Sequence, residues 1–236
     1  GGHMSVASVG QMHWGMDFRG ISVNPSLASV TTASSPPLSP SESSGTAAVG
    51  GSGVSTAGAA GAPLRASFCG TDSMSPGQST PCGAIPDSGS TYIMGPKNQL
   101  DELKSLICDA WPRCQETKGS LPGSEALLQL LRKCNQWLDN NDISEMPTLT
   151  FHFADQGEVK SVDISPATYV TGSRSECNAE FGELDFNTPD NGPVWVLGAP
   201  LFYEFEVGYN FETNPRTITF SNAPCGSCDA AATAGG

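Results

Sequence analysis

Between Cys82 and Pro96 the chain runs CGAIPDSGSTYIMGP, and this stretch limits the possible folds more than any other. Two short apolar runs, Ala84-Ile85 and Ile93-Met94, flank Asp87-Ser88-Gly89-Ser90 with little between them. Asp, Ser and Gly favour tight turns, because short polar side chains bond nearby backbone and Gly accepts positive φ. The pattern predicts two buried strands joined by a loop that presents one carboxylate. A loop held at both ends fixes its acid in space, which catalysis by a carboxylate requires. An ordinary Asx turn would use the same letters, so the rest of the chain has to decide.

Composition narrows the classes. A chain of 236 residues is long enough for one large or two small domains. With 27 Gly, 18 Pro and only 15% charged residues, it suits strands and turns better than a helical bundle. A net charge of −13 argues against nucleic acid or an anionic membrane as partner. It fits a secreted or acidic-compartment protein. No apolar run approaches the roughly 20 residues of a membrane span. The opening Gly1-Gly2-His3-Met4 is taken as an expression remnant occupying 1–4, with any natural leader removed. His3 is therefore set aside as a ligand.

Eight cysteines, an even count in an acidic chain rich in Gly and Pro, point to disulfides and an oxidising compartment. Cys225-x-x-Cys228 has the spacing of zinc ligands. No second Cys-x-x-Cys accompanies it, and His13 and His152 both lie in strand-like sequence. No metal or cofactor is expected. A redox role for the pair is disfavoured, since it sits in the tail and not at the start of a helix.

From Gln11 to Asn24, Met12, Trp14, Met16 and Phe18 alternate, then Ile21 and Val23 after a slip at Gly20. That predicts one long strand with a bulge. Residues 25–66 are dominated by Ser, Ala, Gly, Thr and Pro with no aromatic residue and almost no charge, too little apolar surface to offset the entropy of ordering. They are expected to form a disordered surface insertion, with order resuming at Phe68-Cys69. Two amphipathic core helices are predicted within 97–138. The first spans about Lys97 to Trp111 and stops at Pro112; the second begins near Ser124 as N-cap and carries apolar residues to Leu138. Leu149, Phe151 and Phe153 then alternate, with His152 on the opposite, solvent-facing side. A turn at Asp155–Gly157, a strand to Ile164 and Pro166-Ala-Thr-Tyr169 follow. Near the end come Val194-Trp195-Val196-Leu197-Gly198, an aromatic-rich strand over Phe202–Tyr209, and Thr217-Ile218-Thr219-Phe220. One domain over 5–228 with a disordered tail at 229–236 accounts for all of it.

Taken in order, these segments resemble the C-terminal lobe of pepsin-like aspartic proteases across most of residues 11–222. Ala84-Ile85-Pro86-Asp87-Ser88-Gly89-Ser90 resembles the family's second active-site motif, and Trp195-Val196-Leu197-Gly198 its closing strand. The resemblance implies a mainly β fold, the double-psi barrel-like lobe of a bilobal acid protease, here with two added helices and the insertion. It implies that Asp87 is one catalytic aspartate, that Ser88 locks two active-site loops together and that Ser90 bonds the carboxylate. Gly89, Ser90 and Thr91 would meet substrate, while Leu197 and Gly198 would pass beneath the loop, where a side chain would collide. It also implies the pairs Cys69–Cys82 and Cys134–Cys177. Cys108, Cys114, Cys225 and Cys228 remain, paired locally or with each other.

In that family two aspartates, one from each lobe, hold a water and share a proton, because neighbouring carboxylates do not both ionise cheaply. Only one Asp-Ser-Gly occurs here, and no Tyr-bearing flap hairpin precedes Gln11. The expectation is a C-terminal lobe from a longer secretory, extracellular or endolysosomal (vacuolar) endopeptidase, inactive alone. A missing N-terminal lobe, or a second copy as in retroviral proteases, would complete it around a peptide or protein substrate. Two departures stand out: Pro86 removes a backbone donor before Asp87, and Ala199 stands where many members carry Asp. Pro86 would shift the Asp87 loop and spoil the dyad; the rival function is a catalytically silent binding module on the same fold, since Asp-Ser-Gly can persist after its partner acid is lost. A disulfide-stapled structural protein would explain the cysteines but not the ordered match.

Overall fold

The computed structural model describes residues 3–10, 13–26, 62–138, 143–172 and 176–222. Its strands are β1 (His3–Ala7), β2 (Met16–Asn24), β3 (Leu64–Arg65), β4 (Cys82–Pro86), β5 (Ile93–Gly95), β6 (Thr148–Asp155) and β7 (Glu158–Ile164). After these come β8 (Val170–Gly172), β9 (Cys177–Ala179), β10 (Phe181–Glu183), β11 (Asn187–Thr188), β12 (Gly192–Leu197), β13 (Glu206–Asn210) and β14 (Thr217–Ser221). The helices are α1 (Lys97–Ala110), α2 (Pro112–Thr117), α3 (Gly123–Leu131), α4 (Pro166–Tyr169) and α5 (Ala199–Glu204). The protein is mainly β, as the sequence predicts.

Period-two burial along β2 and β6 builds the core. Met16, Phe18, Ile21 and Val23 face inward from β2, and Leu149, Phe151 and Phe153 from β6. The two strands pair antiparallel, with a register shift between Phe18 and Ile21. Gly20 sits at that bulge with φ +90°, a conformation that side chains resist. Phe18 lies 5.9 Å from Phe153 and 5.7 Å from Trp195, and Trp195 stacks on Phe68 at 5.4 Å. Fully burying a side chain of this size contributes about 1.5–3 kcal/mol, so this aromatic cluster is a principal source of stability.

The large sheet runs β10-β5-β12-β4-β2-β6-β7, with β11 on β12 and β3 on β2. A second sheet, β1-β14-β13, joins the same core through Phe220, which stacks on Phe153 at 6.1 Å. Interleaving is the feature that matters. β4 and β5 are consecutive, yet β12 lies between them, parallel to β4 and antiparallel to β5.

Several expectations need correction. β2 begins at Met16, because His13 and Gly15 close a turn by a 2.9 Å bond from Gly15 N–H to the His13 carbonyl; Gln11 and Met12 lie outside the described residues. Regular structure resumes before Phe68, since Leu64 pairs with Val23 and Arg65 with Ser22. Residues 27–61 of the expected insertion, and the expected 229–236 tail, lie outside the described residues. His3 and Met4 pair with Ser221 and Phe220, so the β1–β14 ladder includes part of the segment assigned to an expression remnant.

The helical segment differs as well. Pro112 ends α1 as expected but also opens α2, because the first helical turn needs no N–H there. The next helix starts at Gly123 with Pro122 as N-cap, not at Ser124. It stops at Leu131, not Leu138, where Trp137 donates its indole N–H to the Leu130 carbonyl at 3.0 Å and satisfies the helix end. Leu128, placed in the core stripe, is 37% exposed. The aromatic run after Gly198 is not one strand: α5 occupies Ala199–Glu204, with Pro200 in its first turn, and only then does β13 begin. His152 is half-buried, with its ring nitrogens 2.7 Å from the Ser22 and Ser161 hydroxyls.

Among the described residues three disulfides hold these parts: Cys69–Cys82, Cys108–Cys114 and Cys134–Cys177. Cys225 and Cys228 lie outside the described residues. Cys134–Cys177 closes the longest loop, 43 residues, so it restricts the unfolded chain most. Replacing both cysteines by Ala is expected to cost about 2–4 kcal/mol, read from urea unfolding. An unchanged stability would show that the bridge does not constrain the unfolded ensemble.

Candidate active site

The Asp87 loop leaves β4 and enters β5 over the end of β12. Both flanking strands have buried side chains at Ala84, Pro86 and Ile93, so the loop is anchored at each end. The Asp87 N–H donates to the Leu197 carbonyl at 3.1 Å, and the Ala199 N–H donates to the Ser90 carbonyl at 2.9 Å. The backbone after β12 thus clamps the loop at its start and its end.

Gly198 makes that clamp possible. A Cβ on Gly198 would lie 2.4 Å from the Tyr92 carbonyl oxygen and 2.5 Å from that of Ser90. Both are backbone atoms and cannot swing aside. Leu197, fully buried, pairs with Pro86 on one side and Ile93 on the other.

The carboxylate itself is exposed and locally bonded. The Gly89 N–H donates to Asp87 Oδ1 at 3.0 Å, and the Ser90 hydroxyl donates to Oδ2 at 2.7 Å. These two donors, Ser90 first, hold its pKa below the ordinary 3.8 against a small opposing effect of burial. Asp87 is therefore ionised in nearly all mildly acidic solutions. Its charge faces outward from the end of the large sheet, free to meet a second group.

The remaining expected site residues divide. Ser90 reaches the carboxylate, whereas Ser88 and Thr91 stand exposed on the same loop and make no side-chain hydrogen bond among the described residues. Ala199 opens α5 and contributes its N–H, not its side chain, to the clamp. Pro86 does not break the strand: it keeps register with Leu197, and its carbonyl accepts a hydrogen bond from the Tyr209 hydroxyl at 3.2 Å.

Two supporting residues escape sequence reasoning. Tyr209 meets Pro86 across 123 residues of chain, and no spacing signals that contact. Gln99, a buried polar residue of α1, accepts the Trp195 indole N–H at 2.8 Å and steadies the ring beneath the loop. Its place on the apolar face of α1 was the only available hint.

Residues 65–223 match the family described as eukaryotic aspartyl protease. The chain is 26% identical over 135 residues to a renin of Echis ocellatus, covering 56% of this chain and 28% of that protein. A second renin of Echis ocellatus gives the same identity and coverage. A renin of Canis lupus familiaris is 25% identical over 138 residues, again 56% of this chain and 28% of its own length. The matched region thus spans little more than a quarter of these relatives.

Two outcomes are expected at the loop. Gly198→Ala should force the Ser90 and Tyr92 carbonyls away and cost about 1–3 kcal/mol, with amide shifts concentrated over 87–92 in NMR spectra. Unmoved amides there would deny the clamp. Because the folded-state pKa of Asp87 is depressed, its contribution to stability is present above pH 3.8 and fades as pH falls through the lower folded value. Ser90→Ala removes the largest cause, so the carboxyl titration followed by 13C NMR should move up toward 3.8; a midpoint that stays put would remove Ser90 from that role.

Proposed function

This chain belongs to the eukaryotic aspartyl protease family, and we propose that it forms the C-terminal lobe of an aspartic endopeptidase, supplying Asp87 as one of two catalytic carboxylates. The observation that carries the proposal is the carboxylate's setting. Asp87 is exposed, ionised, fixed by two donors and mounted on a loop clamped by a threaded strand.

A lone ionised carboxylate is a weak base with nothing to hold water against the scissile carbonyl. A second carboxyl beside it changes that. The charged partner takes a proton from water as the water oxygen bonds the carbonyl carbon, and the neutral partner donates to the carbonyl oxygen. Breaking the C–N bond then returns a proton to the leaving nitrogen. Asp87 is placed for the basic role, since Ser90 and Gly89 both favour its charged form. Gly89, Ser90 and Thr91 border the carboxylate on the open side, where a peptide would lie. Ser88 is left to bond the loop that brings the second acid. Neither metal nor cofactor enters this chemistry.

The complementary acid comes from an N-terminal lobe or from a second copy of this chain. The three disulfides fit an oxidising compartment, and the proposal places the protein in the secretory or endolysosomal route. Among the described residues no helix is long and apolar enough to cross a membrane. The rival reading is a catalytically silent binding module on the same fold, in which Asp-Ser-Gly persists without a partner acid.

The test uses a protein with both lobes. It should cleave unfolded protein at acid pH and be blocked by a statine-type transition-state mimic. Asp87→Asn should lower kcat by on the order of a thousandfold. Turnover that survives this change would exclude Asp87 from the chemistry, and mimic binding without turnover in the unaltered protein would favour the binding module. The chain alone should be inactive when dilute; activity rising with the square of its concentration would identify a second copy as the partner.

A further inference from the structure

Tyr209 stands out as a polar group that the reaction does not use. It lies in β13 opposite Ile218, and its hydroxyl reaches the last residue of β4. Its hydroxyl donates to the Pro86 carbonyl, the peptide group directly before Asp87. Pro86 has no N–H, so this carbonyl is its only polar backbone group. The single peptide group joining Pro86 to Asp87 is therefore held at both ends, its N–H bonded to the Leu197 carbonyl and its carbonyl bonded by the Tyr209 hydroxyl.

The ring is held in turn. Trp14, from the turn before β2, packs on Tyr209 at 5.1 Å, and Phe211 meets Trp14 edge-on at 4.8 Å. The Arg216 guanidinium lies over both, 5.8 Å from the Trp14 ring and 5.5 Å from that of Phe211. A stack built from three chain segments thus ends on one hydroxyl, which in turn ends on the acid's strand. Tyr209 is 36% exposed and Phe211 65%, so the stack sits at the surface without its polar tip being idle.

We propose that Tyr209 is the positioning residue of Asp87: its hydroxyl pins the Pro86 carbonyl and so fixes the loop on which the carboxylate rides. The proposal rests on the reading of Asp87 as the catalytic acid only for its consequence, not for its geometry. Electrostatics supports the proximity, since burial and the Asp87 charge both raise the Tyr209 phenol pKa above its usual 10.

NMR of this chain tests it without proteolysis. In Tyr209→Phe, which removes only the hydroxyl, exchange of the Asp87 amide should quicken about fivefold, the scale of one net hydrogen bond. The Phe151 and Phe153 amides should not change, and the Asp87 carboxyl midpoint should rise as its bonds from Ser90 and Gly89 loosen. In Asp87→Asn, with the ring intact, the Tyr209 ring-carbon titration should fall toward 10. Wild-type exchange and carboxyl midpoint in Tyr209→Phe would overturn the proposal. So would protection lost equally along β6 and β7, or a Tyr209 midpoint indifferent to Asp87→Asn. A two-lobed protein that fails to cleave, with these responses present, would sink the protease reading and leave the positioning role standing.

Discussion

The insertion of β12 between β4 and β5 is the constraint on which the rest depends. Consecutive strands joined by a tight loop normally pair with each other. Here they are held apart, and the loop must bridge a third strand, which leaves its backbone groups pointing at the end of β12. The Leu197 carbonyl and Ala199 N–H answer them. Gly198 is the point of closest approach, with no room for even one carbon. An acid on such a loop has little freedom to move without breaking ladder bonds on both sides.

The aromatic core explains why the threaded strand stays in place. Trp195 alternates inward from β12 and touches Phe18 of β2 and Phe68 of the approach to β4. Its only polar atom is satisfied by Gln99, so burial leaves no unpaired donor. α1 thus does two things at once: its apolar face covers the sheet, and its one buried amide fixes the indole. The Cys69–Cys82 bridge ties the same neighbourhood to the first residue of β4.

What the sequence disclosed and what it hid follow the range of the interactions. Asp-Ser-Gly between apolar pairs, the alternation of Phe151 and Phe153, and the slip at Gly20 are local, and each has its counterpart in the structure. The helix ends lie elsewhere than the sequence pattern predicts because tertiary partners set them. Trp137 closes α3, and the Cys134 bridge draws the chain away from further helix. The Phe202–Tyr209 run differs for a similar reason: its aromatic density predicts a strand, yet Pro200 and the turn after Gly198 begin a helix that leaves Tyr203 72% exposed. The threading of β12 joins segments about a hundred residues apart, and no periodicity encodes such a meeting. In the site, Ser90 was legible because it lies three residues from its acceptor; Tyr209 was not, lying across the fold.

Pro86 and the state of Asp87 bear on one question, whether this loop suits an acid that needs a partner. A proline within a strand removes a ladder donor, yet the donors that matter here come from elsewhere: Asp87 itself toward Leu197, and Tyr209 toward the proline carbonyl. The substitution is therefore absorbed without moving the loop out of register. Around the carboxylate the bias is toward charge, from the Ser90 hydroxyl and the Gly89 N–H. Two close carboxylates cannot both keep their charge cheaply, so the one with fewer donors takes the shared proton. A partner acid with fewer donors than Asp87 would then become the proton-bearing member, and Asp87 the member that activates water. For the proposed dyad, the local bonds of this loop supply the charge-favouring side.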